Sequence, residues 1–236
     1  MVRRTVGSPG LSGLGALLPV SSWNDLLGFG AARHYRPGRT LMSQGGPGDA
    51  VHVLVRGRVQ VRQLVPEGIG LPLAVRYPGE VLGEIAVLRE LTRTATVTAI
   101  DPCDVRVVPA PRFRSFVATR GLGPLIAELS YRRLQEAERL RTEQVALPFI
   151  QRLCRMLVAH AVRDGRGDWA VDLHMSQEEL GLMCGGRRDS MSRALRTLRE
   201  EGIVTTARRV VVILDMSGLR HYAHNGAPAG NGPSGA

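Results

Sequence analysis

Short runs of apolar residues separated by turn signals fill the chain from Tyr35 to Pro109. In Val59–Leu64 apolar and polar positions alternate with the period of two that is typical of a half-buried β-strand. Another strand is predicted at Val51–Val55, on the other side of a turn at Gly57. Further strands are predicted at Leu71–Val75, Thr94–Ala99 and Val105–Val108. Many short strands with regular turns predict a small antiparallel sandwich or barrel.

The hydrophobic period changes after Pro111, and a long helix is predicted there. Ala127–Val145 contains no Gly or Pro and is rich in strong helix formers. Its apolar stripe is thin and is interrupted by charged residues; it consists of Leu125, Leu129 and Leu140. A long helix with too few apolar residues for a core commonly packs along a partner helix, so we expect a dimerisation helix. A solvated connector is the alternative.

A helix-turn-helix is predicted in the C-terminal third of the chain, after a separate helix over Phe149–Val162. Its first helix begins at a capping box formed by Ser176 and Glu179. The residues on either side, Met175 and Leu180, stand where a hydrophobic staple belongs. The Gly residues that follow Cys184 permit the tight turn that ends this helix.

The second helix of this motif is predicted over Arg187–Glu201 and has two distinct faces. The apolar face consists of Met191, Ala194, Leu195 and Leu198. The polar face consists of Arg188, Asp189, Ser192, Arg193 and Arg196. Small and charged residues at its N-terminal end suit the major groove of DNA, where Arg can bond bidentately to guanine and a carboxylate can accept from cytosine.

A wing is predicted to follow, because Ile203–Leu214 has the pattern of a β-hairpin with Arg208 near its turn. We expect Arg188 and Arg193 to read bases. We expect phosphate contacts from Ser176, Gln177, Arg187 and Arg208. The alternative is an ordinary helical hairpin with a solvated Arg face. The order of cap, staple, glycine turn, two-faced helix and basic wing favours DNA binding.

Composition changes this picture only a little. The net charge of +10 favours a nucleic-acid partner, but every basic residue is Arg, as expected from a GC-rich genome, so the position of each Arg matters more than the total. The three Cys residues are far apart and lack metal-ligand spacing, so we expect no metal site. No apolar run approaches the roughly 20 residues of a membrane span, and a signal peptide is not predicted. We therefore expect a soluble, cytoplasmic protein without a membrane partner.

One motif indicates a binding site within the predicted β-domain. Gly83-Glu84-Ile85-Ala86 could begin a short helix whose free amides favour an anion. Arg93 would add a fixed positive charge beside them, and Glu84 could accept a hydrogen bond from a sugar hydroxyl. A surface Glu–Arg pair that contributes little is the plainer interpretation of these residues.

With this motif the chain resembles the cyclic-AMP receptor protein/Fnr (Crp/Fnr) family of bacterial transcription regulators, from about Tyr35 to Leu214. Gly83-Glu84-Ile85-Ala86 and Arg93-Thr94-Ala95 resemble the family's phosphate-binding cassette for cyclic nucleotides. The resemblance implies that Glu84 binds the ribose 2′-hydroxyl and that Arg93 and Thr94 bind the cyclic phosphate. It implies a cyclic nucleotide as ligand, with cyclic AMP as the first candidate.

The chain departs from this family pattern at two places. The cyclic-AMP receptors use Thr and Ser on the long helix to reach adenine, where this chain has Ala137 and Glu138. Ala137 and Glu138 cannot make the same contact with adenine, so the base of the ligand, and whether a cyclic nucleotide binds at all, stay open at this point. Asp189 is one methylene shorter than the Glu that is usual in the recognition helix. A haem-ligating role for His34 or His52 is a minor alternative, because a lone His is commonly structural.

The resemblance implies an α+β fold with a cyclic-nucleotide-binding-type antiparallel β-roll, a long dimerisation helix and a winged helix-turn-helix. The expected parts are a flexible N-terminus (1–22), a sensory β-roll (23–120), the dimerisation helix (121–147), the DNA-binding domain (148–223) and a disordered tail (224–236). The expected function is a homodimeric regulator that binds a near-palindromic operator on double-stranded DNA, contacts RNA polymerase and is controlled by a cyclic nucleotide. The alternatives are a ligand-independent or other-ligand regulator and, with less support, a regulatory subunit of an enzyme; no catalytic residues are predicted.

Overall fold

The computed structural model describes residues 10–65, 70–163, 168–207 and 210–226. The chain divides into two compact units, Met1–Gln135 and Glu136–Ala236. The helices of the described residues are α1 (Gly13–Leu17), α2 (Val20–Gly28), α3 (Glu84–Arg89), α4 (Ala110–Thr119), α5 (Gly123–Ala146), α6 (Phe149–His160), α7 (Gln177–Met183), α8 (Arg188–Glu200) and α9 (Met216–Asn225). The strands are β1 (Ala31–Tyr35), β2 (Thr40–Met42), β3 (Ala50–Arg56), β4 (Val59–Leu64), β5 (Gly70–Arg76), β6 (Val81–Leu82), β7 (Thr96–Ala99), β8 (Cys103–Pro109), β9 (Val162–Arg163), β10 (Trp169–Asp172), β11 (Val204–Ala207) and β12 (Val210–Ile213).

The first unit is built on two antiparallel four-stranded sheets, with strand orders β1-β8-β3-β6 and β2-β7-β4-β5. The strand pattern and the antiparallel β-roll predicted from the sequence are confirmed. A core cluster joins the two sheets, with Leu54 and Val105 from the first and Val59 and Val97 from the second. The strand β3 buries four successive residues because its side chains alternate between this cluster and a second one formed with the helices.

The helices of the first unit cover the outer face of this sheet. The second cluster packs Val51 and Val53 of β3 against Trp23, Phe113 and Ile126 from α2, α4 and α5. The helix α5 confirms the long helix predicted from the sequence. Its first half directs Ile126 towards this cluster and leaves most of its other side chains exposed.

The expectation of a flexible segment over 1–22 is wrong for residues 10–22. Leu14 and Leu18 are buried in the helical cluster. The backbone N–H groups of Ser12 and Gly15 donate to the carbonyls of Pro78 and Gly79 at 2.7 and 2.8 Å. A segment rich in Gly, Ser and Pro is therefore ordered by tertiary hydrogen bonds, which the local composition does not reveal.

The second unit combines a four-stranded sheet, β11-β12-β10-β9, with α6 to α9 and the C-terminal part of α5. The predicted hairpin over Ile203–Leu214 corresponds to β11 and β12. The helix predicted to reach Val162 ends earlier, because Ala161 is extended and Val162 pairs with Ala170. The strand β10 and the helix α9 were not predicted.

The tail prediction is wrong at its first two residues, since His224 and Asn225 belong to α9. Asp215 caps this helix by accepting from the backbone N–H of Ser217 at 2.9 Å, and Leu219 and Tyr222 are buried. The remainder of the predicted tail lies outside the described residues, apart from Gly226. In the described ranges, no helix is long and apolar enough to cross a membrane.

Candidate ligand site and nucleic-acid interface

The turn between β6 and α3 brings two of the predicted cassette residues into contact. Gly83 is the N-cap of α3 and has φ +79°, a conformation that favours glycine. A Cβ atom at this position would overlap Nη1 of Arg93. Gly83 is therefore required both by the backbone conformation and by the close approach of the guanidinium.

The Arg93 side chain lies almost completely within the protein, with 4% of the residue exposed. Its Nη1 donates to the carbonyl of Gly83 at 3.0 Å, and its Nη2 donates to the carbonyl of Ala50 and lies 3.5 Å from Oδ1 of Asp49. Burial lowers the pKa of Arg93, while the charges of Asp49 and Glu84 oppose this shift. The site thus holds a fixed cation beside the cassette turn.

Glu84 is also buried, and its partner is a residue that the sequence did not assign to the site. Nη1 of Arg133, on α5, donates to Oε1 of Glu84 at 2.5 Å, and Nη2 donates to Oε2 of Glu80 at 3.0 Å. Burial acts to lower the pKa of Arg133, but the charges of Glu84 and Glu80 outweigh it, so this pKa is raised. Arg133 therefore links the cassette to α5.

His52 adds a further polar group inside the β-roll. It lies on β3 opposite Leu82 and Val107, which places its side chain on the same sheet face as theirs. Only 7% of the residue is exposed, and its Nδ1 atom has no hydrogen-bond partner among the described residues. Burial, with a further contribution from Arg93, lowers the pKa of His52 to about 4, and Asp49 opposes the shift. The imidazole is therefore neutral at pH 7.

The remaining predicted cassette residues differ in accessibility. Ile85 and Thr94 are exposed, and Ala86 is buried on the inner side of α3. The structure thus brings the buried residues Glu84 and Arg93 together with the half-buried Gly83. Glu84 follows Gly83 directly, and its charge acts on the Arg93 guanidinium.

The predicted start of the helix-turn-helix is confirmed in detail. The backbone N–H of Glu179 donates to Oγ of Ser176 at 3.1 Å, and the backbone N–H of Ser176 donates to Oε2 of Glu179 at 2.8 Å. Met175 and Leu180, the predicted staple residues, are both buried. These contacts fix the position at which the chain enters α7.

The helix α8 has the two faces that its sequence predicts. Its buried residues are Met191, Ala194, Leu195 and Leu198, which follow the i, i+3, i+4, i+7 spacing of a core-facing stripe. The predicted DNA contacts at its start, Arg187, Arg188, Asp189 and Arg193, are exposed, and Ser192 is half-buried. Ser176 and Gln177 are exposed at the start of α7. Arg208, the predicted contact in the wing, lies outside the described residues.

Comparison with known families agrees with both halves of this structure. Residues 32–120 match the family model of the cyclic nucleotide-binding domain, and residues 151–222 match that of the Crp-like helix-turn-helix domain. The two matches together cover more than half of the chain. The chain belongs to the Crp/Fnr family of transcription regulators.

Several proteins of the Crp/Fnr family are similar along most of the chain. A CRP-like cAMP-activated global transcriptional regulator of Mycobacterium tuberculosis is 26% identical over 192 residues, which cover 79% of this chain and 85% of the relative. The cyclic AMP receptor protein of Thermus thermophilus is 28% identical over 201 residues, covering 84% and 90%. The crystal structure of a CRP-family transcriptional regulator from Thermus thermophilus superposes with a TM-score of 0.66 at 25% identity, covering 81% of this chain and 96% of that one.

Three contacts that hold α8 and the turn before it were not predicted from the sequence. Nη1 of Arg199 donates to Oγ1 of Thr206 at 3.3 Å, which joins the end of α8 to the wing strand β11. The hydroxyl of Tyr222, on α9, donates to the carboxylate of Glu201 just after α8. Arg152 on α6 donates to the turn between α7 and α8. The sequence pattern of a single helix or strand does not reveal such contacts, because each joins residues of different elements that only the fold brings together.

The three cysteines of this Crp/Fnr regulator are free and buried. Burial raises the pKa of the Cys103 thiol to about 11 and those of Cys154 and Cys184 to about 12. In the part of the chain that the structure describes, no group of three His, Cys, Asp or Glu side chains could hold a metal ion.

Proposed function

We propose that this Crp/Fnr regulator binds a near-palindromic operator as a homodimer and responds to a cyclic nucleotide in the β-roll. The observation that carries the ligand part is the pair of buried charged residues, Glu84 and Arg93, on either side of the left-handed turn at Gly83. The two-faced helix α8, with its exposed Arg188 and Arg193, supports the DNA-binding part.

The exposed face of α5 supports the homodimer. Its residues follow a heptad-like 4-3-4-3-4 spacing and are all exposed: Ala127, Tyr131, Leu134, Glu138, Arg141 and Val145. Tyr131, Leu134 and Val145 are 56%, 54% and 91% exposed, although each is large and apolar. Large apolar residues at a and d spacing favour a partner helix of the same kind, so we assign this face, the α5 seam, to a second copy of the chain.

In such a dimer the two recognition helices would lie about 34 Å apart and would read half-sites one helical turn apart. Arg188 and Arg193 would bond to base edges, and Asp189 would accept from cytosine. Phosphate contacts would come from Ser176, Gln177, Arg187 and Arg208, with Ser192 close to the groove floor. RNA polymerase would be a further partner of the DNA-bound dimer.

We assign the ligand contacts from the charges of the cassette side chains and from the oxygen atoms that do not already accept a hydrogen bond from Arg133. Arg93 provides the positive charge for a cyclic phosphate, and the exposed Thr94 adds a hydroxyl. Arg133 bonds to Oε1 of Glu84, so Oε2 is the acceptor that we assign to the ribose hydroxyl. The two relatives named for cyclic AMP support that nucleotide as ligand. Glu138, with its acceptor-only carboxylate, favours a different mode of base recognition from the Thr and Ser of the cyclic-AMP receptors.

A ligand-independent regulator is the second candidate, and one observation favours it. Arg93 already donates to the carbonyls of Gly83 and Ala50, and Glu84 already accepts from Arg133. These protein contacts satisfy part of the hydrogen-bonding capacity that a ligand would use. An enzyme's regulatory subunit is the third candidate, and binding of DNA by the full chain would exclude it.

Calorimetric titration with cyclic AMP and cyclic GMP tests the ligand assignment. We expect saturable binding of one nucleotide, its loss in Arg93→Ala, and its retention in Arg89→Ala, a matched control with an exposed Arg on α3. If neither nucleotide gave a heat of binding and the protein still bound DNA, the proposal would be replaced by that of a ligand-independent regulator.

Binding to an operator selected from random DNA tests the DNA assignment. We expect Arg188→Ala to lose about 1–3 kcal/mol for each half-site of the selected operator and to become less specific at one base pair in each half-site. Arg220→Ala, a change of an exposed Arg on α9, serves as the control and should bind like the parent. If Arg188→Ala bound the selected operator and scrambled DNA with the same affinities as the parent, the assignment of Arg188 would be wrong.

A further inference from the structure

His52 is a polar side chain in an apolar setting inside the β-roll. Leu54, two residues further along β3 and therefore on the same face of the sheet, belongs to the core cluster between the two sheets. The residues that pair with His52 in the neighbouring strands, Leu82 and Val107, are also apolar and pack in this cluster. The imidazole therefore leaves water without gaining a polar neighbour across the sheet.

The burial of this imidazole is not compensated at its Nδ1 atom. Only 7% of His52 is exposed, and Nδ1 has no hydrogen-bond partner in the part of the chain that the structure describes. An unpaired buried polar atom destabilises a fold, and an apolar side chain of similar volume would avoid this cost. Because buried polar atoms are normally paired, the missing partner of Nδ1 is expected to come from outside the chain.

The neighbours of His52 indicate which part of a ligand would supply that partner. Ala50 lies two residues before His52 on the same face of β3, about 7 Å away along the strand. The carbonyl of Ala50 accepts from Nη2 of Arg93. On the neighbouring strand, Leu82 pairs with His52 and directly precedes the cassette turn at Gly83. The strands β3 and β6 thus place the imidazole beside the cation that we assign to the cyclic phosphate.

The charges around His52 favour an anion as that partner. The charged or titratable side chains of this part of the β-roll are Asp49 before β3, Glu84 at the start of α3, Arg93 after it, Tyr35 at the end of β1 and Cys103 at the start of β8. Burial and the charge of Arg93 lower the pKa of His52 to about 4, and Asp49 opposes this shift. An anion bound to Arg93 would offset the charge that disfavours the imidazolium and would offer an acceptor to Nδ1–H.

We propose that His52 is a further ligand-binding residue, whose Nδ1 donates to the cyclic phosphate next to Arg93 and whose imidazole takes up a proton from solvent when the nucleotide binds. This inference rests on the proposed function, because it requires a cyclic nucleotide in the β-roll. By linkage, the affinity for the nucleotide increases as the pH falls, since the complex holds more protons than the free protein. The site would then respond to proton concentration as well as to the nucleotide.

Calorimetric titration with proton counting tests this inference. Cyclic AMP and cyclic GMP are titrated into the full chain at pH 7.5 and at pH 5.5, each time in two buffers that differ in ionisation enthalpy. The dependence of the measured heat on the buffer gives the number of protons taken up per nucleotide. The variants are His52→Leu and His52→Asn, and the matched control is His34→Asn, which removes an exposed imidazole on β1 that pairs with Asp104.

We expect the parent and His34→Asn to bind the nucleotide at least about twofold more tightly at pH 5.5 than at pH 7.5, with uptake of at least about 0.3 proton at pH 5.5. His52→Leu should bind at least about tenfold more weakly at pH 5.5, because a charge-assisted hydrogen bond is lost, and should lose this proton uptake. His52→Asn places a neutral amide donor near the position of Nδ1, so it should retain part of the affinity without the proton uptake.

The stability of the variants separates this role from a structural one. The urea midpoint of His52→Leu at pH 7 without ligand should be no lower than that of the parent, because the substitution removes an unpaired buried polar atom. If His52→Leu does not fold, the proton uptake of His52→Asn decides the question.

Two results would overturn the inference while the proposed function stands. One is nucleotide binding by the His52 variants with the affinity and the proton uptake of the parent. The other is a loss of affinity in these variants with the same proton uptake as in the parent, or with none in any of the proteins, which would indicate a packing role. If the parent itself binds neither nucleotide, the proposed function fails and the inference fails with it.

Discussion

Replacement of Arg133 by Met removes the cation that two buried carboxylates share. Glu80 and Glu84 are each 7% exposed, and both accept from Arg133, at 3.0 and 2.5 Å. Met retains the approximate length and apolar stem of the side chain, so the main change is the loss of the charge and its donors. The variant leaves two carboxylates close together without their common partner.

The expected cost follows from the burial of the groups that remain. Removal of one partner of a buried ion pair costs about 3–5 kcal/mol, because an uncompensated charge stays behind. The Arg133 side chain retains 28% exposure and Glu80 lies 3.8 Å from a second cation, Arg76. We therefore expect a value near the low end of this range, about 3 kcal/mol.

Denaturation by urea at pH 7 and at one fixed protein concentration measures this cost, since association would otherwise change the apparent stability. The matched control is Arg132→Met, which removes the neighbouring exposed i, i+4 pair with Glu128 and should cost about 0.5 kcal/mol or less. Adding Glu84→Gln to Arg133→Met should restore part of the loss, because it removes one of the stranded charges. Equal losses in the Arg133 and Arg132 variants would refute this account of the site.

Two further predictions concern titration and assembly. The pKa of His52 is about 4 in the folded chain and 6.5 in the unfolded chain, so the unfolded state takes up a proton first as the pH falls. His52 should therefore lower the free energy of unfolding by about 3 kcal/mol between pH 6.5 and pH 4. In denaturation experiments at several pH values, His52→Phe should lose less stability over this range than the parent. Parallel profiles of unfolding free energy against pH for the two proteins would contradict this prediction. Leu134→Glu should be monomeric in sedimentation, because it would place a charge in the α5 seam of the proposed dimer, whereas Arg132→Glu should sediment like the parent. A dimeric Leu134→Glu would refute the assignment of the seam.

The elements that the sequence predicted well carry their signal locally. The strand β4 alternates apolar and polar residues, and the start of α7 has both the capping box and the staple within six residues. The helix α8 repeats its apolar residues with helical spacing. In each case the pattern that selects the structure lies within the element, so it can be recognised without knowing the fold.

The features that sequence reasoning missed depend on distant residues. The helix α1 has only five residues, and it is held in place by the burial of Leu14 and by backbone hydrogen bonds from Ser12 and Gly15 to Pro78 and Gly79. The cassette residues Glu84 and Arg93 were found by their motif, but Arg133 was not, because its role depends on how α5 packs against α3 and β6. The same holds for Arg152, whose acceptors lie 5 to 33 residues away in the chain.

The buried thiols have a consequence for the signals to which this regulator can respond. The reactive form of a cysteine is the thiolate, and with pKa values of about 11 to 12 all three side chains stay protonated near neutral pH. Peroxides and electrophiles therefore meet no ready nucleophile at Cys103, Cys154 or Cys184 while the chain is folded. While the chain is folded, these three thiols are therefore poor receivers of a redox signal.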